Sequence, residues 1–226
     1  NILMRCGAII SGGKDSMFAL YTAIQQKNKP CILIALEGPA ESMMFHTPNI
    51  QLTKSIARLV RLPIIYKKVQ KVQDEMKVLK QAIMAAKRKY KIEMLVSGAV
   101  ESNYQKTRID NICKELKILS HAPLWHINAE QYINLLLSSG FECIFTAVAA
   151  HGLDQSWLGR RFDETAVRDL MQLNKTYGVS LVGEGGEFET LVLNCPLYKK
   201  RIEVIEAESH WDGMAGWLEI KKIKIL

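Results

Sequence analysis

The spacing of apolar and polar positions changes repeatedly along this chain, and each change marks an element. Residues 5–10 are an apolar run of strand length, closed by Ser11-Gly12-Gly13. Over 15–26, Met17, Leu20, Tyr21 and Ile24 recur at helical spacing, which predicts an amphipathic helix with those side chains in the core. A second apolar run, 31–36, stops at Glu37-Gly38-Pro39. Residues 49–61 carry Leu52, Ile56 and Leu59 on one helical face, and 63–69 read as a third strand. Residues 74–90 read as a long helix with Asp74 as its cap, 94–97 as a fourth strand ended by Gly98, and 103–116 as a further helix. Strands alternating with helices predict right-handed βαβ units, hence a parallel sheet in a three-layer α/β/α arrangement. Ligands of such sheets bind beyond the carboxyl ends of the strands. Segments 11–16, 43–49 and 98–104 follow the first, second and fourth strands, so all three are expected on that edge.

The pattern shifts after Pro123-Leu124-Trp125. Helices at 128–139 and 163–177, ended by Gly140 and Gly178, flank a long apolar strand at 141–149. A strand-rich stretch then runs to Leu226. Two domains are expected: an α/β domain over 1–127 and a smaller α+β domain over 128–226. No low-complexity linker or internal repeat interrupts them.

Composition narrows the class. With 226 residues, 48% hydrophobic and 23% charged, the chain can bury a sizeable core. No apolar run approaches the length of a membrane span. Residues 1–10 lack the small-residue cleavage site of a signal peptide, so they read as a strand, and the expected setting is cytoplasmic with no membrane partner. A net charge of +7 favours acidic partners. The lysines are scattered, as in Lys67-Lys68 and Lys87-Arg88-Lys89, which suits solvated helix faces and loop ends better than a dedicated RNA patch. Cys6, Cys31, Cys113, Cys143 and Cys195 are dispersed without C-x-x-C spacing. That pattern fits reduced thiols and argues against zinc ribbons and cysteine-held iron–sulfur clusters.

The chemistry concentrates in two stretches. In the first, Ser11-Gly12-Gly13-Lys14-Asp15-Ser16, a strand turns through two glycines into a helix. Glycines let backbone N–H groups approach oxygen atoms closely, a helix N-terminus attracts anions, Lys14 adds a full charge, and Ser11 and Ser16 add donors. The stretch suits a polyphosphate, yet it is not a Walker A loop. The first glycine of that motif would fall on Ala8, and Asp15 stands where a metal-holding Ser or Thr belongs. The six residues resemble instead the PP-loop of the N-type ATP pyrophosphatases, which cleave ATP between the α and β phosphates. In the second stretch, Gly183-Glu184-Gly185-Gly186-Glu187-Phe188-Glu189-Thr190, three carboxylates sit between the apolar pairs Leu181-Val182 and Leu191-Val192. Such carboxylates bind Mg²⁺, hold an amine or act as a base.

Together with Met44-Phe45-His46-Thr47-Pro48-Asn49, with residues 98–108 and with Pro123-Leu124-Trp125, these stretches make nearly the whole chain resemble the diphthine–ammonia ligase family, in its short archaeal form. Family members often carry Arg where Lys106 stands and Glu where Asp110 stands. The resemblance implies a PP-loop domain of the adenine nucleotide alpha hydrolase-like fold. It also implies ATP-dependent amidation of diphthine, a modified histidine of translation elongation factor two, with ammonium as nitrogen donor and AMP and pyrophosphate as products. Ser11, Gly12, Gly13, Lys14, Asp15, Ser16, His46 and Gly98 would then bind ATP with Mg²⁺; no resident metal centre is expected. Asp15 either meets the metal or holds the loop, and His46 either donates to a phosphate or steadies its own loop. Lys14, Asp15, Glu184 and Glu187 are the catalytic candidates. Glu101, Tyr104, Arg108, Gly185, Gly186, Glu189 and Thr190 are the substrate-binding ones, although Arg108 in a surface salt bridge is an equal reading. Trp125, Trp157 or Phe188 either meets the substrate's trimethylammonium group or is ordinary core. A homo-oligomer is admitted. Two other readings stay open: a PP-loop enzyme that adenylates a tRNA base, disfavoured by the missing cysteine pairs, and a nucleotide-binding regulator similar to the universal stress proteins.

Overall fold

The computed structural model describes residues 4–226, so positions 1–3 of the opening apolar segment lie outside the described residues. The chain divides into two compact units, the first ending at His126 and the second spanning Ile127–Leu226.

In the first unit five short strands alternate with helices: β1 (Arg5–Ile9), α1 (Lys14–Gln25), β2 (Lys29–Glu37), α2 (Thr53–Val60), β3 (Ile64–Lys68), α3 (Glu75–Tyr90), β4 (Met94–Val96), α4 (Asn103–Glu115) and β5 (Leu119–His121). The strands pair in parallel in the order β3-β2-β1-β4-β5. The chain steps outward from β1 to β3, then crosses back to β4, so the order reverses at β1. Such a reversal opens a crevice at the carboxyl ends of the two central strands. Along β2 the side chains alternate between the faces. Ile32, Ile34 and Leu36 pack with Leu79 and Ile83 of α3 and with Ile109 and Ile112 of α4. α1 packs on β1, β2 and β4 and contributes nothing to that cluster, so it covers the opposite face.

Two local expectations change. The helix expected over 49–61 starts as a single 3-10 turn at Ile50–Leu52, after Asn49 in the left-handed region (φ 63). Asp74 makes no side-chain cap; it ends a 3-10 turn (Val72–Asp74) that leads the chain into α3.

The second unit holds α5 (Ala129–Ser138), β6 (Glu142–Val148), α6 (Glu164–Tyr177), β7 (Phe188–Asn194), β8 (Ile202–Trp211) and β9 (Gly216–Ile225). Asn128 and Asp163 cap the two helices through Gln131 N and Ala166 N. The antiparallel sheet runs β7-β6-β9-β8. Phe145 is fully buried at its centre, with the rings of Trp157, Phe188 and Phe162 at 5.1, 5.1 and 5.4 Å. β9 meets β6 only at Ala147–Trp217 and Val148–Gly216, so most of the β8–β9 hairpin pairs only within itself. Among the described residues no helix is long and apolar enough to cross a membrane.

Cys6, Cys113, Cys143 and Cys195 are buried and Cys31 is half-buried. Burial pushes the Cys6 thiol up to about 12 and those of Cys113 and Cys195 to about 11, so these three stay protonated and unreactive at neutral pH. We expect a thiol reagent at pH 7 to label the native protein first at Cys31, with the remaining four cysteines reacting only in denaturant, as peptide mass mapping will show.

Candidate active site

The loop at 11–16 is held in shape by its own hydrogen bonds. Gly12 takes a positive φ of 87°, the turn that brings β1 into α1. Ser16 Oγ accepts from Ser11 N at 3.1 Å and lies 3.3 Å from both Ser11 Oγ and Gly13 O. Gly13 N donates to Ser11 Oγ at 3.3 Å. The two serines therefore fasten the ends of the loop to each other. Gly13 is the N-cap of α1 and has no side chain with which to cap it, and a helix N-terminus favours anions. Lys14 is 2% exposed, and its Nζ lies 2.7 Å from Asp15 Oδ1.

On the β4 side, Gly98 closes against this loop. A Cβ there would lie 2.7 Å from Ser16 N and 2.8 Å from Asp15 C and Ser16 Cα. Gly98 thus lies directly against the backbone of α1's first turn. Glu101 is exposed beyond it, and Ser102 caps α4 by accepting from Gln105 N. Tyr104 and Arg108, one turn apart, stack: the guanidinium lies 3.3 Å from the ring centroid and donates to Tyr104 O. Lys106 and Asp110 pair with each other at 2.6 Å. Asp110 also accepts from Ser120 Oγ, and Lys106 Nζ sits 5.4 Å from the Trp125 ring. Trp125 also stacks on His126, while Trp157 and Phe188 belong to the buried cluster around Phe145.

On the β2 side, the loop 38–45 closes through Gly38 N to Phe45 O at 3.1 Å and around Ser42, whose Oγ accepts from Met44 N and Phe45 N. His46 is exposed at its end and Asn49 is buried. Two groups here escape a reading of the sequence alone. Tyr66 Oη donates to Glu37 Oε2 at 2.6 Å, with Lys68 Nζ 3.4 Å from Oε1 and Lys54 Nζ 4.3 Å above the Tyr66 ring. The tyrosine's hydrogen bond, with Lys68 and Lys54 nearby, holds the Glu37 carboxyl below the usual range; burial and the carboxylate push the Tyr66 hydroxyl up. Glu75, 3% exposed at the start of α3, has an Oε1 with no hydrogen-bond partner among the described residues. The signal for Glu37 was an acid closing a strand; its partners are invisible until β2 and β3 are known to pair.

In the second unit the glutamate-rich stretch forms a knotted turn before β7. The Glu187 carboxylate accepts from Ser180 N, Ser180 Oγ accepts from Val182 N and Glu184 N, and Glu187 O accepts from Ala149 N. Gly183 (φ 79) admits no Cβ, which would meet Phe188 O at 2.6 Å. Gly185 and Gly186 are exposed, Glu184 and Glu189 half-buried, and Thr190 buried. Glu187 thus fixes its own turn through one carboxylate oxygen. Among the described residues, the one cluster of metal-type ligands is Glu208, His210 and Glu219 on the β8–β9 hairpin, where Lys221 Nζ already lies 2.6 Å from Glu208 and 3.6 Å from Glu219.

Residues 4–120 match the family model of the diphthamide synthase N-terminal domain, and residues 128–226 that of the diphthamide synthase C-terminal domain. The chain is 34% identical over 229 residues to the diphthine–ammonia ligases of Bos taurus and Homo sapiens, covering 91% of this chain and 84% of each of theirs. It is 32% identical over 238 residues to that of Schizosaccharomyces pombe, covering 96% of this chain and 39% of the yeast one.

Replacing Gly98 by Ala forces a methyl group into the α1 backbone. We expect a stability loss of about 1–3 kcal/mol in denaturant melts, with weaker nucleotide binding; an unchanged melt would mean that the two segments part freely.

Proposed function

The chain belongs to the diphthamide synthase family, and we propose that it amidates the free carboxylate of diphthine in translation elongation factor two, consuming ATP and ammonium in the cytoplasm. The observation that supports this reading is the glycine turn at residues 11–13 leading into the N-terminus of α1, with Lys14 buried in its first turn, an arrangement that suits a polyphosphate leaving group.

A carboxylate does not react usefully with ammonia, because oxide would have to leave. Attack of a carboxylate oxygen on the α-phosphorus of ATP breaks the bond to the β-phosphate and releases pyrophosphate. The product is an acyl adenylate. Ammonia then adds to the acyl carbon, AMP departs with the original carboxylate oxygen, and ammonium has given up its surplus protons. Ser11, Gly12, Gly13 and Ser16 cradle the departing pyrophosphate, and Lys14 neutralises its growing charge. Asp15 is partly exposed beside Lys14 and offers a carboxylate, which suits Mg²⁺ carried in with the nucleotide. That ion, when bound, withdraws charge from the phosphates. His46 donates to a phosphate oxygen.

Glu184, Glu187 and Glu189 serve the second substrate: one takes a proton from ammonium and the others hold the trimethylammonium group. Gly185, Gly186 and Thr190 shape that stretch, and Glu101, Tyr104 and Arg108 contact diphthine or the protein that carries it.

Incubation with diphthine-bearing elongation factor two, ATP and ammonium tests the proposal. AMP, pyrophosphate and the amide are expected in equal amounts. ADP and phosphate would contradict it, and AMP formed only with tRNA would favour adenylation of a tRNA base. Lys14→Met should slow turnover by about 10²–10³-fold, the scale of a lost charge-stabilising contact. Glu187→Gln keeps an acceptor for Ser180 N, so it should cut amide formation while leaving ATP binding and the melt near normal. Equal loss of binding and amidation would make Glu187 a purely structural residue.

A further inference from the structure

The end of β2 carries a built group that the amidation steps leave unused. Ile10 N donates to Ile34 O at 2.9 Å; from there residues 11–13 turn away into α1, while 35–37 continue β2 beside β3. Neighbouring strands lie about 4.8 Å apart, which puts Glu37 one strand over from the phosphate-type loop. Since Ile32, Ile34 and Leu36 face α3 and α4, alternation turns Glu37 to the α1 face of the sheet. On the β4 side Gly98 already lies against Asp15 and Ser16. A nucleotide whose phosphates rest on the α1 N-terminus therefore extends its nucleoside toward β2.

The group waiting there is an ionised, partly exposed carboxylate held by Tyr66 and Lys68. A carboxylate only accepts hydrogen bonds, at about four lone-pair positions, and Tyr66 and Lys68 engage one on each oxygen. It repels phosphate and matches a pair of neighbouring hydroxyls. An acid at the end of the second strand plays that part for ribose in dinucleotide-binding sheets. We propose that Glu37 binds the ribose 2′- and 3′-hydroxyls of ATP, with Tyr66 as the positioning residue that aims its carboxylate.

This rests on the ATP-dependent reading above, and one titration separates the two. The full chain is titrated calorimetrically with ATP, 2′-deoxy-ATP and 3′-deoxy-ATP. The wild type should bind each deoxy nucleotide about 10-fold more weakly than ATP, the scale of a hydrogen bond to a charged group. Glu37→Ala should bind all three alike, at the level of the wild type with a deoxy nucleotide, and Tyr66→Phe should keep part of the preference. Equal binding of the three by the wild type, or a preference that survives in Glu37→Ala, would overturn the assignment while leaving ATP use intact. A wild type that binds no ATP would overturn both. Should Glu37→Ala fail to fold, Glu37→Gln is read in the same way, and the wild-type comparison stands by itself.

Discussion

The constraint from which this structure follows is positive charge gathered at one point and kept from water. α1 presents roughly half an elementary charge at its N-terminus, and Lys14 adds a full charge in the same turn with its side chain 3% exposed. Burying a cation costs several kcal/mol unless a partner compensates, and the like charge of the helix end raises that cost. Asp15 supplies a counter-charge from the next residue. A polyphosphate is the ligand we propose for this site, because its charge is opposite to that of Lys14 and of the helix end. Shape is held apart from charge: the Ser11–Ser16 contacts and the approach of Gly98 keep the loop folded, so the ligand need not organise it.

The surrounding sheet serves that loop. Reversal of strand order at β1 gives the loop an open edge, and the apolar sides of α3 and α4 fix β2 so that its alternate residues face α1. On α4, Lys106 and Asp110 form one i,i+4 ion pair, and Asp110 links it to Ser120 on β5. In the second unit the Glu187 carboxylate ties the turn at Ser180.

Much of this was legible in the chain before any coordinates. The apolar period places β1, α1, β2, α3 and β6 within a few residues, because each buries one stripe or a whole run. Asp163 and Gly178 mark the ends of α6 by their chemistry. The loop at 11–16 stands out as a candidate anion site through its residue types alone. Other features were hidden for physical reasons. β5 is three residues long with Leu119 exposed, too short and too wet to leave a period. β8 and β9 pair mainly with each other, so Glu206, Glu208, Lys221 and Lys222 meet solvent and no core face imposes an alternation. The serine contacts across the loop, the Gly98 approach and the Glu37–Tyr66 bond all join segments that are distant in sequence or paired by tertiary order. One-dimensional spacing cannot register such contacts.

The central claim is that the loop activates a carboxylate by adenylation, and oxygen tracing tests it most directly. Diphthine-bearing elongation factor two, labelled with ¹⁸O in the diphthine carboxylate, is amidated with ATP and ammonium, and the phosphorus products are weighed by mass spectrometry. The account predicts one ¹⁸O in AMP and none in pyrophosphate. Label in inorganic phosphate, or AMP without label, would contradict it.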